Sequence, residues 1–449
     1  MTGLDPSELA ALTDRLRGDV LGPADAAYDE ARQGWNLAID QRPAVVVRAA
    51  EADDVVAAME FAAGRALPVA VQATGHGTRI PADAALLIET SAMNAVEVDP
   101  SARTARIGAG ARLQDVIAAA EPHGLVAPVG YAPTVGAVGY TLGGGHGWYA
   151  RAHGLAVDAV RALDVVTATG EPRRLHPGSD ELAWGMLGYG AGLAVTTGME
   201  LALAPVDELS GGRLTWPIQR AGEVLATYAE ISMELPESVS LDAALLQGTW
   251  PATGTVRSIA VDGVALGPPE RLMDAVAPLR RIPDLQQDSI AARRPRDLYE
   301  VTDDWVAPTH QHYHGELLDR LDERAVDAIV RTCATESAPW TSLRIRRLGG
   351  AVAGAREGTS AIGPVDASHL FLGVTVDADP LAGQRAATAA DELRSALAGR
   401  LSGAAIPNFV GNTAAAAGHR PREAERLQAL KSRVDPADLL RFHLPLTAA

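Results

Sequence analysis

The chain has 449 residues, of which 47% are hydrophobic and 21% are charged, so its composition is that of a folded protein rather than a disordered one. At roughly 100–200 residues per domain, this length predicts two to four domains or one large composite fold. The formal net charge of −17 argues against a nucleic-acid backbone or an anionic membrane as the main partner. Cys333 is the single cysteine, which excludes an intramolecular disulfide and a multi-cysteine metal site.

The sequence shows no targeting segment, and we therefore expect a cytoplasmic protein. The longest stretch without Asp, Glu, Lys or Arg runs from 122 to 150. It is long enough to span a bilayer, but it holds eight glycines and three prolines, which a lipid-exposed helix cannot accommodate. We interpret it as buried loops and turns around a ligand.

The first 205 residues predict a mixed α+β region that opens with a βαβ-like unit. Its predicted elements are strand 44–48, helix 53–63, strand 68–72, strand 86–88, strands 95–98 and 104–107 around a turn at 99–101, and helix 112–120. Glycine clusters lie at the junctions between these elements.

Beyond Pro205 the glycine-rich loops stop, and strands alternate with helices. The predicted elements are strand 213–217, helix 221–235, strand 255–261, helix 268–279, a strand–helix pair over 313–331, strands 342–348 and 369–376, and helix 381–401. This order is typical of an antiparallel sheet covered by helices. An irregular tail follows from 403 to 449.

A glycine-rich turn follows the strand at 68–72. Its residues are Gln72, Ala73, Thr74, Gly75, His76, Gly77 and Thr78. Backbone N–H groups in such a turn can point to one anion, and Gly75 and Gly77 permit positive φ and close approach of a ligand. His76 then lies at the edge of a bound phosphate or cofactor. The alternative is a tight turn with a structural histidine.

A second glycine cluster covers 133–148, where six of sixteen residues are glycine. Each glycine costs roughly 0.5–1 kcal/mol in regular structure, so we expect this backbone to pack against a large planar or phosphorylated ligand. The candidate ligand contacts here are Pro133, Thr134, Val135, Gly136, Gly139, Tyr140, Thr141, Gly143, Gly144, Gly145, His146 and Gly147. A mobile surface loop is the alternative. A third cluster, 108–110, lacks the third glycine of a dinucleotide-binding fingerprint.

The order of the Gly-His turn, the hairpin, the 108–110 cluster, the 133–158 motif and the 182–201 motif resembles the flavin-binding domain of FAD-linked oxidases. The resemblance is to the vanillyl-alcohol-oxidase superfamily and its berberine-bridge-enzyme-like branch. It covers about 35–205 strongly and the tail weakly, through 407–409, 426–431 and 434–436. The middle region also looks like the family's substrate domain, especially at 348–352. It implies a two-lobed α+β fold, with an FAD-binding domain over 1–205, an antiparallel-sheet substrate domain over 206–400, and a C-terminal segment, 401–449, that returns to the FAD-binding domain.

The resemblance implies FAD as the cofactor and no metal. His76 falls on the histidine that bonds to the 8α-methyl group of FAD in the family, when a neutral imidazole attacks the flavin. Ala132 replaces the cysteine that forms a second bond in some members, so we expect one covalent bond, through His76, or none. Val195 and Asn408 join the residues named above as expected cofactor contacts.

Several family residues are missing, including an arginine before the Gly-His turn, two amides near the flavin, and a tail tyrosine that acts as a base, which is Ile406 here. A replacement base is available in the segment 309–314. Because residues alternate faces on a strand, His310, His312 and His314 share one face and are candidate catalytic residues. Solvated edge histidines and a metal site are the alternatives. Tyr140 and Asn408 are further catalytic candidates.

The resemblance implies oxidation of a C–O, C–N or C–C bond, in which a base takes a proton, hydride passes to flavin N5 and oxygen regenerates FAD. We expect a bulky, mostly apolar natural product as substrate, as for antibiotic-tailoring relatives, and no nucleic-acid or membrane partner. Two alternatives remain. One is a redox-neutral flavin-dependent cyclase or rearrangement enzyme, and the other is a drug-binding flavoprotein without chemistry.

Overall fold

The computed structural model describes residues 4–250, 254–354, 358–411 and 421–443. The helices, in chain order, are α1 (Pro6–Thr13), α2 (Tyr28–Arg32), α3 (Ala52–Ala63), α4 (Leu113–Ala120), α5 (Ala137–Leu142), α6 (Ala150–His153), α7 (Glu181–Tyr189), α8 (Ala221–Ser232), α9 (Pro269–Ala275), α10 (Tyr299–Thr302), α11 (Glu323–Cys333), α12 (Ala382–Ala396) and α13 (Pro421–Val434). The strands are β1 (Asp19–Leu21), β2 (Val45–Arg48), β3 (Val69–Gln72), β4 (Leu86–Glu89), β5 (Val96–Asp99), β6 (Thr104–Gly108), β7 (Leu125–Val126), β8 (Val160–Thr167), β9 (Pro172–Leu175), β10 (Ala194–Ala202), β11 (Ala204–Pro205), β12 (Leu209–Pro217), β13 (Val239–Trp250), β14 (Gly254–Leu266), β15 (Gln287–Asp288), β16 (Ala291–Ala292), β17 (Gln311–Leu318), β18 (Ser342–Arg347) and β19 (His369–Val376).

The N-terminal part of the chain builds two larger sheets. Sheet I has the order β1-β2-β4-β3, in which β2 and β3 both run parallel to the central β4. Helix α3 connects β2 to β3, so the predicted βαβ-like opening is present. Sheet II has the order β5-β6-β10-β8-β9 and is antiparallel, with β5 and β6 forming the predicted hairpin.

Sheet III belongs to the second half of the chain. Its strand order is β15-β12-β14-β13-β18-β19-β17, all pairs are antiparallel, and β16 adds to β12. One face is apolar and packs under α8, α11 and α12, with Leu241, Ala243 and Leu245 of β13 in this core. Because side chains alternate along a strand, the residues between them point to the other face, toward the N-terminal sheets.

Helix α11, which covers the apolar face of sheet III, shows how the local sequence determines where a helix begins and which side is buried. Asp322 accepts a hydrogen bond from the backbone N–H of Ala325 at 2.9 Å and so caps the first turn. Its buried residues, Ala325, Val326, Ala328, Ile329 and Cys333, follow the i, i+3, i+4 spacing of an amphipathic helix. Cys333 is therefore a core residue, and burial raises the pKa of its thiol to about 11.

The tail returns to the N-terminal sheets and is tied there by Lys431 of α13. The Lys431 ammonium donates to the carbonyls of Gly192 and Leu440 at 3.0 and 2.9 Å and pairs with Asp435 at 2.5 Å. Beyond the helix, the backbone N–H of Val69 donates to the carbonyl of Leu439 at 2.8 Å. These contacts place Leu439 and Leu440 of the tail beside sheet I.

The fold agrees with the predicted class, since helices cover antiparallel sheets and the predicted strands and helices recur within a few residues at each end. The predicted helix at 381–401 is shorter in the structure, where α12 ends at Ala396. Within the described ranges, no helix combines the length and apolar character that a bilayer span requires.

Candidate cofactor and substrate site

A cavity of about 500 Å³ lies between the N-terminal sheets and the polar face of sheet III. One wall comes from the Gly-His turn, the loop before α5 and α5 itself. The opposite wall comes from β17, β18 and β19, and the segment 407–409 closes one side. Pockets between such layers are the usual place for ligands, so this cavity is the candidate site.

His76 lies at the edge of this cavity in a fixed orientation. Its Nδ1 is 3.0 Å from the hydroxyl of Thr74, its Nε2 is 3.2 Å from the hydroxyl of Thr134, and its ring stacks on Trp35 at 4.1 Å. Burial and the nearby Arg112 guanidinium lower the pKa of His76 to about 3. The imidazole is therefore neutral at physiological pH and keeps a nucleophilic lone pair.

The turn that carries His76 requires glycine at Gly75. Its φ is +74°, and a β-carbon there would lie 2.4 Å from the Cα of Gly34. The backbone N–H of Trp35 donates to the carbonyl of Thr74 at 2.8 Å. The close contact of the two chain segments places Trp35 flat against the imidazole.

The second glycine cluster contains two kinds of position. Gly139 in α5 faces the cavity, and a β-carbon there would meet no atom within 4 Å. Gly145 instead faces the protein, where a β-carbon would lie 2.5 Å from that of Ala156. The N–H of Gly145 donates to the side-chain oxygen of Asn408 at 2.6 Å, so the tail is anchored to the glycine run.

Most of the expected cofactor contacts line the cavity. They are Gln72, Ala73, Thr74, Gly75, His76, Gly77, Thr78, Val135, Gly136, Gly139, Tyr140, Gly143, His146 and Asn408. The remaining expected contacts are absent from the described lining, namely Pro133, Thr134, Thr141, Gly144, Gly145, Gly147 and Val195. Thr134 still contacts His76. Gly144, Gly145 and Gly147 allow neighbouring protein segments to pack closely against each other.

Val195 needs a correction. Its side chain is fully buried in the core of sheet I and α3, and the next residue, Thr196, lines the cavity instead. Alternation along β10 puts neighbouring residues on opposite faces, so the expectation was one position off.

The histidine strand also needs a correction. Alternation along β17 was predicted properly, but the cavity face carries Gln311 and Tyr313 rather than the histidines. His310, His312 and His314 are not among the described residues that line the cavity. The reason is the register with β19, which puts Tyr313 beside cavity-facing Val374. The His312 ring lies against Gly383 of α12, and the His314 ring lies against Trp340, just before β18.

Tyr140 and His146 have polar atoms that lack a partner among the described residues, and both are buried. Burial raises the pKa of Tyr140 far above its usual value and lowers the pKa of His146 to about 3. Both side chains are therefore neutral. As a catalytic base, Tyr140 is a poor candidate in this state, because removing its proton is strongly disfavoured.

The polar face of sheet III carries a row of charges that the sequence interpretation did not include. Cross-strand pairing aligns Arg213, Asp262, Asp242 and Arg346 on β12, β14, β13 and β18. Arg213 and Arg344 bind the carboxylate of Asp262 at 2.5 and 2.8 Å. Burial opposes ionisation of Asp262, but these two guanidinium groups hold the pKa of its carboxyl below its usual value.

Arg346, at the end of the row, has a looser ion pair than Arg213 and Arg344. Arg346 lies 3.5 Å from Asp242, and both are almost completely buried. Burial raises the pKa of Asp242 to about 7, although Arg346 and Arg344 act in the opposite direction. The sequence carried a signal for part of this row, because Arg344 and Arg346 alternate with the apolar Leu343 and Ile345.

The residues around the cavity fit FAD. The N-terminal wall offers open positions over glycine, at Gly139 and Gly190, where a flat ring or phosphate can approach the backbone. The same wall holds the unpartnered buried hydroxyl of Thr196 and ring nitrogens of His146, which a polar cofactor would satisfy. Among the described residues, no group of three or more His, Cys, Asp or Glu side chains is placed to hold a metal ion.

Comparison with known proteins agrees with this fit. Residues 43–176 match the family model described as an FAD binding domain. The chain is 31% identical over 207 residues to (R)-6-hydroxynicotine oxidase of Paenarthrobacter nicotinovorans, with 45% of each chain covered. Other matched proteins are named FAD-linked oxidoreductases. The chain spans about half the length of these curated relatives.

Two solved structures show the same fold over almost the whole chain. The 6-hydroxy-D-nicotine oxidase of Arthrobacter nicotinovorans has a TM-score of 0.83 at 24% identity, covering 96% of this chain and 98% of that one. A BBE-like protein of Physcomitrella patens has a TM-score of 0.85 at 17% identity, covering 98% and 100%. The protein therefore shares the fold of these two proteins over almost its whole described length. The match to the FAD binding domain over 43–176 agrees with the flavin-binding domain that the sequence motifs predicted.

Proposed function

We propose that this protein is an FAD-dependent oxidoreductase that carries its cofactor on His76 and oxidises a bulky, mostly apolar metabolite in the cytoplasm. The observation that carries the proposal is the fixed, neutral imidazole of His76 at the edge of a glycine-lined cavity. The names of the sequence relatives, which are oxidases and FAD-linked oxidoreductases, support the same reaction class.

A bound flavin would supply the redox chemistry of the site, as the acceptor of a hydride from the substrate, with oxygen as the final electron acceptor. The chain supplies the rest. The threonine hydroxyls of Thr74 and Thr134 hold the His76 ring, and stacking on Trp35 fixes its plane. Sheet III faces this wall and shields the substrate from water, as its apolar lining residues Leu372 and Val374 indicate.

We assign the FAD-binding domain to 1–205 together with 401–449 and the substrate domain to 206–400. The support is that sheets I and II lie wholly in the first segment, sheet III lies in the second, and the tail packs on sheet I. The aromatic lining residues Trp35, Trp305 and Phe409 support an apolar secondary metabolite as substrate.

Acid precipitation of the purified protein tests the covalent bond. Yellow colour in the pellet, with flavin mapped to the peptide that contains His76, is the expected result. The variant His76→Ala should release its flavin into the acid supernatant while keeping its fold, and the exposed His123→Ala is the matched control. Flavin that stays covalently bound in His76→Ala would refute the assignment. A colourless protein that takes up no added FAD would refute the flavoenzyme proposal itself.

A further inference from the structure

Arg346 is a buried arginine at the wall of the cavity, and its Nε has no hydrogen-bond partner among the described residues. The side chain is 4% exposed. A guanidinium has five N–H donors, and buried donors are rarely left unpaired. Because Arg346 lines the cavity, its guanidinium is within reach of a ligand that lies there.

Aromatic rings hold this guanidinium in place. It lies 3.9 Å from the centre of the Tyr131 ring and 5.3 Å from that of Phe409. Such cation–π contacts fix the position of the group without using its N–H donors. The donors therefore stay available in a defined orientation.

The charge of Arg346 is poorly compensated. Its one ion-pair partner among the described residues is Asp242, at 3.5 Å and without hydrogen-bond geometry. The other arginines of the row, Arg213 and Arg344, share the well-bonded carboxylate of Asp262. When Asp242 carries a proton, Arg346 has no anion beside it.

We infer that Arg346 binds an anionic oxygen group of the substrate, most simply a carboxylate, while the apolar body of the substrate lies against the aromatic and aliphatic walls. Resting on the proposed function, this inference defines the substrate class as apolar acids. The carboxylate matches the planar fork of a guanidinium and supplies the missing charge and hydrogen bonds together.

The proximity of Asp242 to Arg346 also makes anion binding by Arg346 depend on pH. The groups that face the Asp242 carboxyl are Tyr131, Tyr228, Asp262, Arg344 and Arg346. Ionised Asp242 competes with the substrate anion for Arg346, whereas protonated Asp242 does not. Since burial raises the pKa of Asp242 to about 7, anion binding should weaken as the pH rises through that value.

Benzoate and its neutral analogue benzamide are suitable probes, followed by calorimetry and by the absorbance of bound flavin. At pH 6 we expect benzoate to bind the holoprotein at least about 10-fold more tightly than benzamide, as for a charge-assisted hydrogen-bonded pair. Between pH 6 and pH 8, benzoate affinity should fall about 10-fold, following the protonated fraction of a group with pKa about 7, and benzamide affinity should not change.

Two variants separate the role of Arg346 in anion binding from the role of Asp242 in its pH dependence. Arg346→Gln should remove the preference for benzoate, and Asp242→Asn should keep it and abolish its pH dependence. Arg347→Gln is the matched control, because Arg347 is the neighbouring guanidinium and donates to the carbonyls of Ser232 and Ser368 rather than into the cavity. The wild-type pH profile needs no variant, so the inference stays testable if Arg346→Gln does not fold.

Equal binding of benzoate and benzamide by the wild-type protein would overturn the inference. That outcome is distinct from failure of the proposed function, which would show as a protein that holds no flavin. Because calorimetry does not depend on the flavin signal, the two failures can be told apart.

Discussion

Gly139→Ala is expected to have opposite effects on stability and on cofactor binding. Gly139 lies inside α5, and a β-carbon there would meet no protein atom within 4 Å. Replacing a helical glycine by alanine in open space stabilises a protein by about 0.5–1 kcal/mol, because the unfolded chain loses conformational freedom. The flavin-free protein should gain this amount in its free energy of unfolding.

The same methyl group points into the cavity where the cofactor approaches the backbone. Crowding of a close-packed contact costs about 1–3 kcal/mol, which corresponds to an FAD affinity lower by about 5- to 150-fold. The His76→Ala background keeps binding reversible, so FAD uptake can be titrated by flavin absorbance. Urea unfolding of flavin-free protein gives the stability.

Gly222→Ala is the matched control. Gly222 lies in α8, its β-carbon position is also open, and it does not line the cavity. This variant should gain similar stability and leave FAD affinity unchanged. If Gly139→Ala binds FAD as tightly as the parent protein, the assignment of this glycine wall to the cofactor is wrong.

Two further predictions concern stability. Burial lowers the pKa of His369 to about 3 from an unfolded value near 6.5, so its contribution is fully present above pH 6.5 and is lost as the pH falls toward 3. His369→Gln should therefore flatten the pH dependence of urea unfolding between pH 6 and pH 4 by about 1.4 kcal/mol per pH unit, and an unchanged slope would contradict the assigned shift. Lys431→Met should cost about 3–5 kcal/mol in unfolding free energy, because it leaves Asp435 buried without its cation. The exposed Arg433→Met on the same helix should cost far less, and similar losses for both would argue against a special role for the buried pair.

Local patterns in the sequence identified many of the residues that line the N-terminal wall of the cavity. The glycines of 72–78 and 133–148 occur where the backbone needs residues without a side chain. Gly75, with its positive φ and its close contact with Gly34, is an example. His76 could be found because it follows a predicted strand within such a turn. These signals depend on neighbours in sequence and need no knowledge of distant strands.

The opposite wall could not be predicted in the same way. Alternation along β17 gives two faces, but the choice between Tyr313 and the histidines depends on the register with β19, some sixty residues away. The row of charges is a similar case. Arg346 and Asp242 are separated by about a hundred residues and become neighbours only through the pairing of β13 with β18.

The burial of Lys431 gives the protein a chemical reporter, because the sequence contains no other lysine. Amine-reactive esters need an accessible, unprotonated amine, and this one is held by Asp435 and two backbone carbonyls. The rate of Lys431 acylation, measured by mass spectrometry, would thus report how often α13 detaches from the N-terminal part of the protein. Since Phe442 and His443 beyond that helix line the cavity, the acylation rate would also show whether a filled cavity keeps the tail in place.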